Sequence, residues 1–354
     1  MKPLKLQNIY KFNPVLIDYY KILSDDIPEF ILEYANTKEM LKQQYISVSC
    51  GTFYSKMYNI GRFSSLEHSI WVALIIRNFT KDKKQTLSWL FHDISTPVFK
   101  HCIDYMNWDY HKQESTEELT TKTIINSKEI MNLLKKDWIE VNEINNYHLY
   151  PIADNDSPKL SADRLEYTLS NALFTYNTNK LSSIRRIYNN IEIQNNENNE
   201  IELWFKDKKH AEFFERIMGK LSIIYMVDKT RFSMQFLADI LKIMKENNEI
   251  SINDLYLLKE EEIIKKIKQS KIWNISKCYS IRENAKRINI SKNEPTNKYY
   301  VNHWTKIRYI DPLFRKNNKY IRISKQSNNV RQTISKCLNY KMTNYMYLNF
   351  NIEK

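Results

Sequence analysis

The sequence predicts a mainly α protein: a helical bundle with a C-terminal extension that contains short helices and a small β element. Three observations predict it. Apolar residues recur at helical spacing in one stretch after another, as in Leu87, Leu90, Phe91 and Ile94. A short polar turn at residues 80–84 joins two such apolar stretches, which makes them antiparallel neighbours. From Lys298 onward the pattern changes to alternation rich in aromatic residues, the signature of strands.

In chain order, residues 14–23 and 27–44 have helical patterns, and residues 45–52 alternate enough for a short strand or an extended lead-in. A helix bearing His68 runs from Ser64 through Ile76 to Phe79. The next contains Leu87 to Ile94 and must end near Thr96, because Pro97 disfavours helix in the residue before it. Residues 102–114 are polar and aromatic, with the character of a binding loop. Helical patterns resume over 115–134 and 137–144. Residues 153–158 form an acidic turn that includes Asp154 and Asp156. Ser161 is the N-cap expected for a helix carrying Asp163. Residues 177–207 are a polar interruption in which 191–193 and 201–204 can pair as a hairpin. Helices follow at 210–225 and 231–245, then two short ones within 250–267.

His92 and Asp93 fall in the last turn of the apolar helix. Such a pair is costly to bury unless a partner or a metal compensates it, and imidazole beside carboxylate suits a divalent cation. His68 stands 24 residues before His92, and Asp163 stands 70 residues after Asp93. Helix and loop lengths bring His68, near the start of one helix, to face His92 and Asp93, near the end of the next.

This order resembles the HD-domain metal-dependent phosphohydrolases. Asp163-Arg164-Leu165-Glu166-Tyr167 is similar to the family's D-R-x-[DE]-Y segment. Phe99 and His101 match the F-x-H of the branch that includes deoxynucleoside triphosphate triphosphohydrolases, and residues 113–118 to 150–155 resemble uncharacterised bacterial HD-domain proteins. The stretch Lys306-Ile-Arg308-Tyr-Ile-Asp311-Pro312 resembles the tail of longer members. The likeness covers residues 45–180. It implies an HD-domain bundle in which His68, His92, Asp93 and Asp163 ligate one divalent ion (Mn, Mg, Fe, Co, Ni or Zn). It implies hydrolysis of a phosphate ester or anhydride, most naturally of a nucleotide. Candidate proton donors are His101, His111 and Glu114. Arg164 is a candidate phosphate contact, and Tyr167, four residues after Asp163, a candidate substrate contact. The sequence departs from the triphosphohydrolases at Thr96, where they carry a catalytic His. That departure leaves open a degenerate HD domain that binds nucleotide or nucleic acid without turnover.

The remaining composition bounds the setting. The 354 residues carry a net charge of +13, with only 3 Gly against 24 Tyr. The excess of Ile, Lys, Asn and Tyr reads as the imprint of an AT-rich genome, so charge alone does not argue for a polyanionic partner. The interleaving of Lys306, Arg308, Lys319 and Arg322 with Tyr299, Tyr300, Trp304 and Tyr320 would suit a phosphate-bearing ligand or single-stranded nucleic acid, or equally a small sheet with a basic outer face. Four cysteines without CxxC spacing point to reduced thiols and a cytoplasmic protein. The absence of a long apolar run excludes a membrane span. The expected organisation is an HD core over 1–180, a helical extension over 181–297 and a basic tail over 298–354; a homo-oligomer is left open.

Overall fold

The structure, a computed structural model, describes residues 14–111, 119–152, 154–317 and 319–351. Helices α1 (Pro14–Leu23), α2 (Glu29–Ala35) and α3 (Lys38–Lys42) lead to the central helix α4 (Ser65–Thr80). Ser64 and Glu67 start α4 with a reciprocal capping box: each side chain accepts the other's backbone N–H. Between Ser65 and Ile76 every residue except Glu67 is buried, as expected of a helix that is apolar all round. Trp71 at its centre stacks on Phe174 and meets the Tyr19 ring edge-on.

Lys81, in the left-handed region, ends α4, and Asp82 caps α5 (Lys83–Leu90) by accepting from the N–H groups of Lys84 and Gln85. The short connection lays α5 back along α4, the antiparallel arrangement read from the loop length. The predicted helix is too long, however. It stops at Leu90, and His92 and Asp93 lie in tight turns beyond it, closed by Ile94 N–H to Phe91 O and Thr96 N–H to Asp93 O. Two causes act together. Pro97 restrains Thr96, and the Asp93 carboxylate takes the Thr96 hydroxyl at 2.9 Å, a local bond that competes with helix.

The next helix, α6 (His101–Met106), starts from Phe99 and Lys100, both with positive φ (63° and 44°). Residues 115–118 lie outside the described part of the chain; beyond them the single helix expected over 115–134 is two, α7 (Thr120–Asn126) and α8 (Lys128–Asp137). They are divided at Ser127, whose extended backbone and Oγ cap α8. In place of a helix over 137–144 there is a single 3-10 turn, Val141–Glu143. Ser161 caps α9 (Ala162–Ser170) as read from the sequence, and α9 runs on into a π turn, Asn171–Thr175.

After α10 (Leu181–Tyr188) come the hairpin strands β1 (Ile191–Asn195) and β2 (Ile201–Phe205). The long helices α11 (Lys208–Met226) and α12 (Asp228–Glu246) follow, then α13 (Ile252–Leu257), α14 (Glu260–Lys268) and α15 (Ile275–Asn284). The end of the chain holds β3 (Asn289–Ser291), β4 (Lys298–Val301), β5 (Leu313–Lys316), β6 (Lys319–Arg322), α16 (Asn328–Leu338) and β7 (Tyr345–Asn351). The strands form two sheets, ordered β1-β2-β5-β6 and β3-β7-β4. β5 pairs antiparallel with β6 and joins the hairpin in parallel, Phe205 opposite Phe314. The chain is thus mainly helical with small sheets. Among the described residues no helix is long and apolar enough to cross a membrane.

Two apolar cores result, and both cut across the divisions at 180 and 297. The first packs α1, α4, α5 and α9 with the hairpin, α11, β5 and α16; the second packs α6, α12, α14 and α15 with β4 and β7. The tail also differs from a paired run of strands. Residues 302–312 are irregular and lie between β4 and β5, held by Tyr105 Oη to Thr305 Oγ1 (2.7 Å), Lys306 N–H to Tyr110 O (3.2 Å) and Asp311 N–H to Pro158 O (2.8 Å). Its cations are not one exposed track. Lys306 and Arg308 face an internal cavity. Arg322 is 7% exposed and donates to both oxygens of the fully buried Glu202, at 2.6 and 2.8 Å, and to Glu197. Removing one partner of such a pair leaves the other buried and uncompensated. Arg322→Ala is therefore expected to cost about 3–5 kcal/mol in chemical denaturation, whereas Lys319→Ala, on the exposed side of β6, should change stability by less than about 0.5 kcal/mol.

Candidate metal centre

The capping box of α4 places His68 one turn into the helix, with its ring 6% exposed. Its Nδ1 lies 2.5 Å from Glu166 Oε2 and its Nε2 3.1 Å from Asp163 Oδ1. Asp163 and Glu166 are three residues apart on α9, so both reach the same side of that helix. Tyr19 donates to the other Glu166 oxygen at 3.4 Å. The turn after α5 brings the His92 ring within 5.2 Å of the His68 ring, centroid to centroid. His92 Nδ1 sits 2.7 Å from Trp89 O, so Nδ1 carries the proton and Nε2 keeps a lone pair.

The ligand-capable atoms of His68, His92 and Asp163 all lie within 4.8 Å of one another. That spacing and donor set fit a divalent ion: two imidazoles and a carboxylate suit Zn, Mn, Fe or Co. The outer partners fit as well, since a His ligand is ordinarily fixed by a hydrogen bond from its other nitrogen to a carboxylate or carbonyl. Here Glu166 and Trp89 O are those groups. Without a cation the imidazole takes the charge itself. Burial pushes the His68 pKa down, but Glu166 and Asp163 outweigh it and lift it to about 10.

Asp93 stands beside this trio with different company. Its Oδ2 is 3.6 Å from His92 Nε2 and accepts from Lys100 Nζ at 2.5 Å and Ser65 Oγ at 3.0 Å; its Oδ1 accepts from Thr96. Burial opposes ionisation of Asp93, yet the Lys100 ammonium, with His92 and His68, holds its carboxyl well below the usual range.

These groups line one cavity of about 290 Å³. Its wall carries Lys100, Lys306 and Arg308 as cations, Tyr58, Tyr105, Tyr147, Tyr167, Tyr176 and Tyr225 as aromatics, and His101, His148 and Asp154 as further titratable groups. His101 presents its ring to the cavity with Nδ1 2.8 Å from the fully buried Asp104, and burial lowers its pKa. Tyr167 lies in the wall, its hydroxyl pushed by burial to about 12.

The other candidates fall elsewhere. His111 is exposed, against Tyr110 and off the cavity wall. Glu114 lies outside the described residues. Arg164 turns to the preceding loop, donating to Lys159 O at 2.8 Å with Asp154 3.9 Å away; it braces the turn instead of facing the cavity. Conversely, Asp154, read as part of an acidic turn, lines the wall, and so does His148. Glu166 and Asp104 had a usable signal, each three residues after a candidate on a helix. Lys306 and Arg308 were marked by the basic and aromatic pattern of the tail, though not as part of this cavity; Lys100 had no signal, because irregular backbone aims it.

Known proteins resemble the chain in sequence and in fold. No family model matches the chain. It is 25% identical over 282 residues to the uncharacterised protein YdhJ of Bacillus subtilis, covering 78% of this chain and 81% of that one. Over 117 residues, 32% of each chain, it is 27% identical to the metal-dependent phosphohydrolase cns2 of Cordyceps militaris. In fold it is similar to a hypothetical protein from Aquifex aeolicus (TM-score 0.65, 15% identity, covering 91% and 93% of the two chains). It is likewise similar to a phosphohydrolase from Bacteroides thetaiotaomicron (TM-score 0.57, 12% identity, covering 92% and 94%).

One buried acid supports the strained corner before α6. Glu260 is fully buried and accepts from the N–H groups of Ser47 (3.1 Å) and Phe99 (3.3 Å) and from Tyr54 Oη (2.9 Å). Burial raises its pKa from 4.5 to about 7, against the lowering effect of those hydrogen bonds. Because the folded value lies above the unfolded one, its contribution to stability is complete below about pH 4.5 and declines as pH rises through 7. Glu260→Gln is expected to flatten that decline, which urea denaturation at pH 5 and pH 8 measures.

Proposed function

We propose that the chain is a metal-dependent phosphohydrolase of the HD type, cleaving a phosphate ester or anhydride, with a nucleotide as the favoured substrate. The observation that carries this is the meeting of His68, His92 and Asp163, with Asp93 beside them, at a cavity walled by Lys100, Lys306 and Arg308. The trio, with Asp93 as the fourth residue of the centre, would hold a divalent ion, which would supply a lowered pKa for a bound water and offset charge on a phosphoryl oxygen.

The chain's own groups do the rest. Glu166 and the Trp89 carbonyl orient the two imidazoles so that their Nε2 atoms face inward. The cations of the wall draw in and neutralise the phosphate. His101, steadied by Asp104, is the group best placed to move a proton at the departing oxygen. The tyrosines offer flat faces and hydroxyls to the organic part of the substrate, with Tyr167 nearest in sequence to the ligands. In this reading the division at residue 297 is one of sequence character, because the tail supplies Lys306 and Arg308 to the site.

A second reading, binding without turnover, draws on Thr96. Its hydroxyl is committed to Asp93, where triphosphohydrolases of the resembled branch carry a histidine. A phosphate-release screen separates the two. Metal-stripped protein should be inactive towards nucleotides and simple phosphate esters, and Mn²⁺, Mg²⁺, Fe²⁺ or Co²⁺ should restore release. Asp93→Ala and Asp163→Ala should abolish it, and Glu166→Ala, which removes the partner that orients His68 but none of the metal-holding atoms, should lower metal affinity or activity about 10–100-fold. Metal-loaded protein that binds nucleotide yet releases no phosphate would decide for the second reading.

A further inference from the structure

Lys100 is not required by a centre of two histidines and two aspartates, yet the fold takes trouble to place it. Its ammonium lies 2.5 Å from Asp93 Oδ2 and 3.4 Å from Ser65 Oγ, and its side chain is only 12% exposed. The Ser65 hydroxyl donates to the same Asp93 oxygen and so accepts from Lys100. Two consecutive residues in the left-handed region, Phe99 and Lys100, turn the side chain inward; neither is a glycine, and such backbone is uncommon. The corner is pinned by Phe99 N–H to the buried Glu260 and by Lys100 N–H to Pro97 O (3.2 Å). The result is a desolvated cation fixed on Asp93, which stands beside the His68, His92 and Asp163 cluster and outside it.

Two-metal phosphohydrolytic centres hold their cations about 3.5–4 Å apart, so that phosphate oxygens are clamped from both sides. A lysine ammonium carries three donors. Asp93 and Ser65 take two of those on Lys100, and the side chain lines the cavity that the ligand trio also lines. We propose that Lys100 is the second cation of the centre: it stands on Asp93 where a second divalent ion would otherwise bind, and presents its ammonium to the ligand's phosphate. The inference rests on the reading of His68, His92 and Asp163 as a metal site. It makes Asp93 a ligand shared between the metal and an ammonium, and the centre mononuclear by construction.

The test uses the full chain, stripped of metal, with Lys100→Met beside the wild type. Calorimetric titration with Mn²⁺ gives stoichiometry and affinity, and titration of the Mn²⁺-loaded proteins with inorganic phosphate gives the anion affinity. Wild type should take one Mn²⁺ per chain. Lys100→Met, with Asp93 released, should bind Mn²⁺ about tenfold more tightly or take a second equivalent. Its phosphate affinity should fall about tenfold, the effect of losing one charge-assisted hydrogen bond. If Lys100→Met does not fold, Lys100→Gln keeps a donor towards Asp93 without the charge and reads the same constants. Metal and phosphate affinities both within twofold of wild type, or weaker Mn²⁺ binding in the variant, would overturn the proposal while leaving the metal site intact. A wild type that binds no Mn²⁺ would overturn the metal-site reading itself.

Discussion

Everything at the centre of this molecule depends on one buried contact, the Glu166 carboxylate against the His68 ring. It joins α4, buried along most of its length, to α9, and it decides which nitrogen of His68 faces the cavity. A carboxylate with no exposure is tolerable only with such a partner. The same contact therefore holds two helices together and prepares a ligand. Asp163, one helical turn away from Glu166, is positioned by the same packing. His92 depends on α4 less directly, through the short connection that returns α5 along it.

Around that contact the charges alternate. Glu166 faces His68, His68 faces Asp163, Asp93 faces Lys100, and beyond Lys100 lie the tail's Lys306 and Arg308 in the cavity wall. Interior charges are kept only when each is offset by a neighbour, and these offsets run from the fully buried Glu166 to the cavity wall. Aromatic residues share that wall.

Part of the candidate site was legible in the sequence, because it rests on spacing within helices and on one short loop. His68, His92 and Asp163 come together, His68 and Asp163 on the helices expected to carry them and His92 in a turn past the end of its helix, and the Ser161 cap is where its residue type put it. What was not legible depends on irregular backbone. The helix carrying His92 and Asp93 ends a turn early, since a bond between Asp93 and Thr96 competes with it. Lys100 points inward only because two residues take an uncommon conformation. The tail's alternation of aromatic and basic residues suggested strands, but much of it is an irregular stretch along the cavity, where Thr305, Lys306 and Arg308 line the wall. Arg322, from the same tail, reads as a surface cation in sequence, and only its long-range partner Glu202 explains its burial.

The joining of β2 to β5, Phe205 opposite Phe314, carries a consequence for how the protein comes into being. The wall of the cavity is assembled from residues as distant as Val48 and Arg308. Contacts of such sequence separation form late, because the entropy of closing long loops opposes them until the surrounding packing is in place. Lys306 and Arg308 join the wall only where the tail has docked on the rest of the fold, so the complete pocket is a property of the whole folded chain.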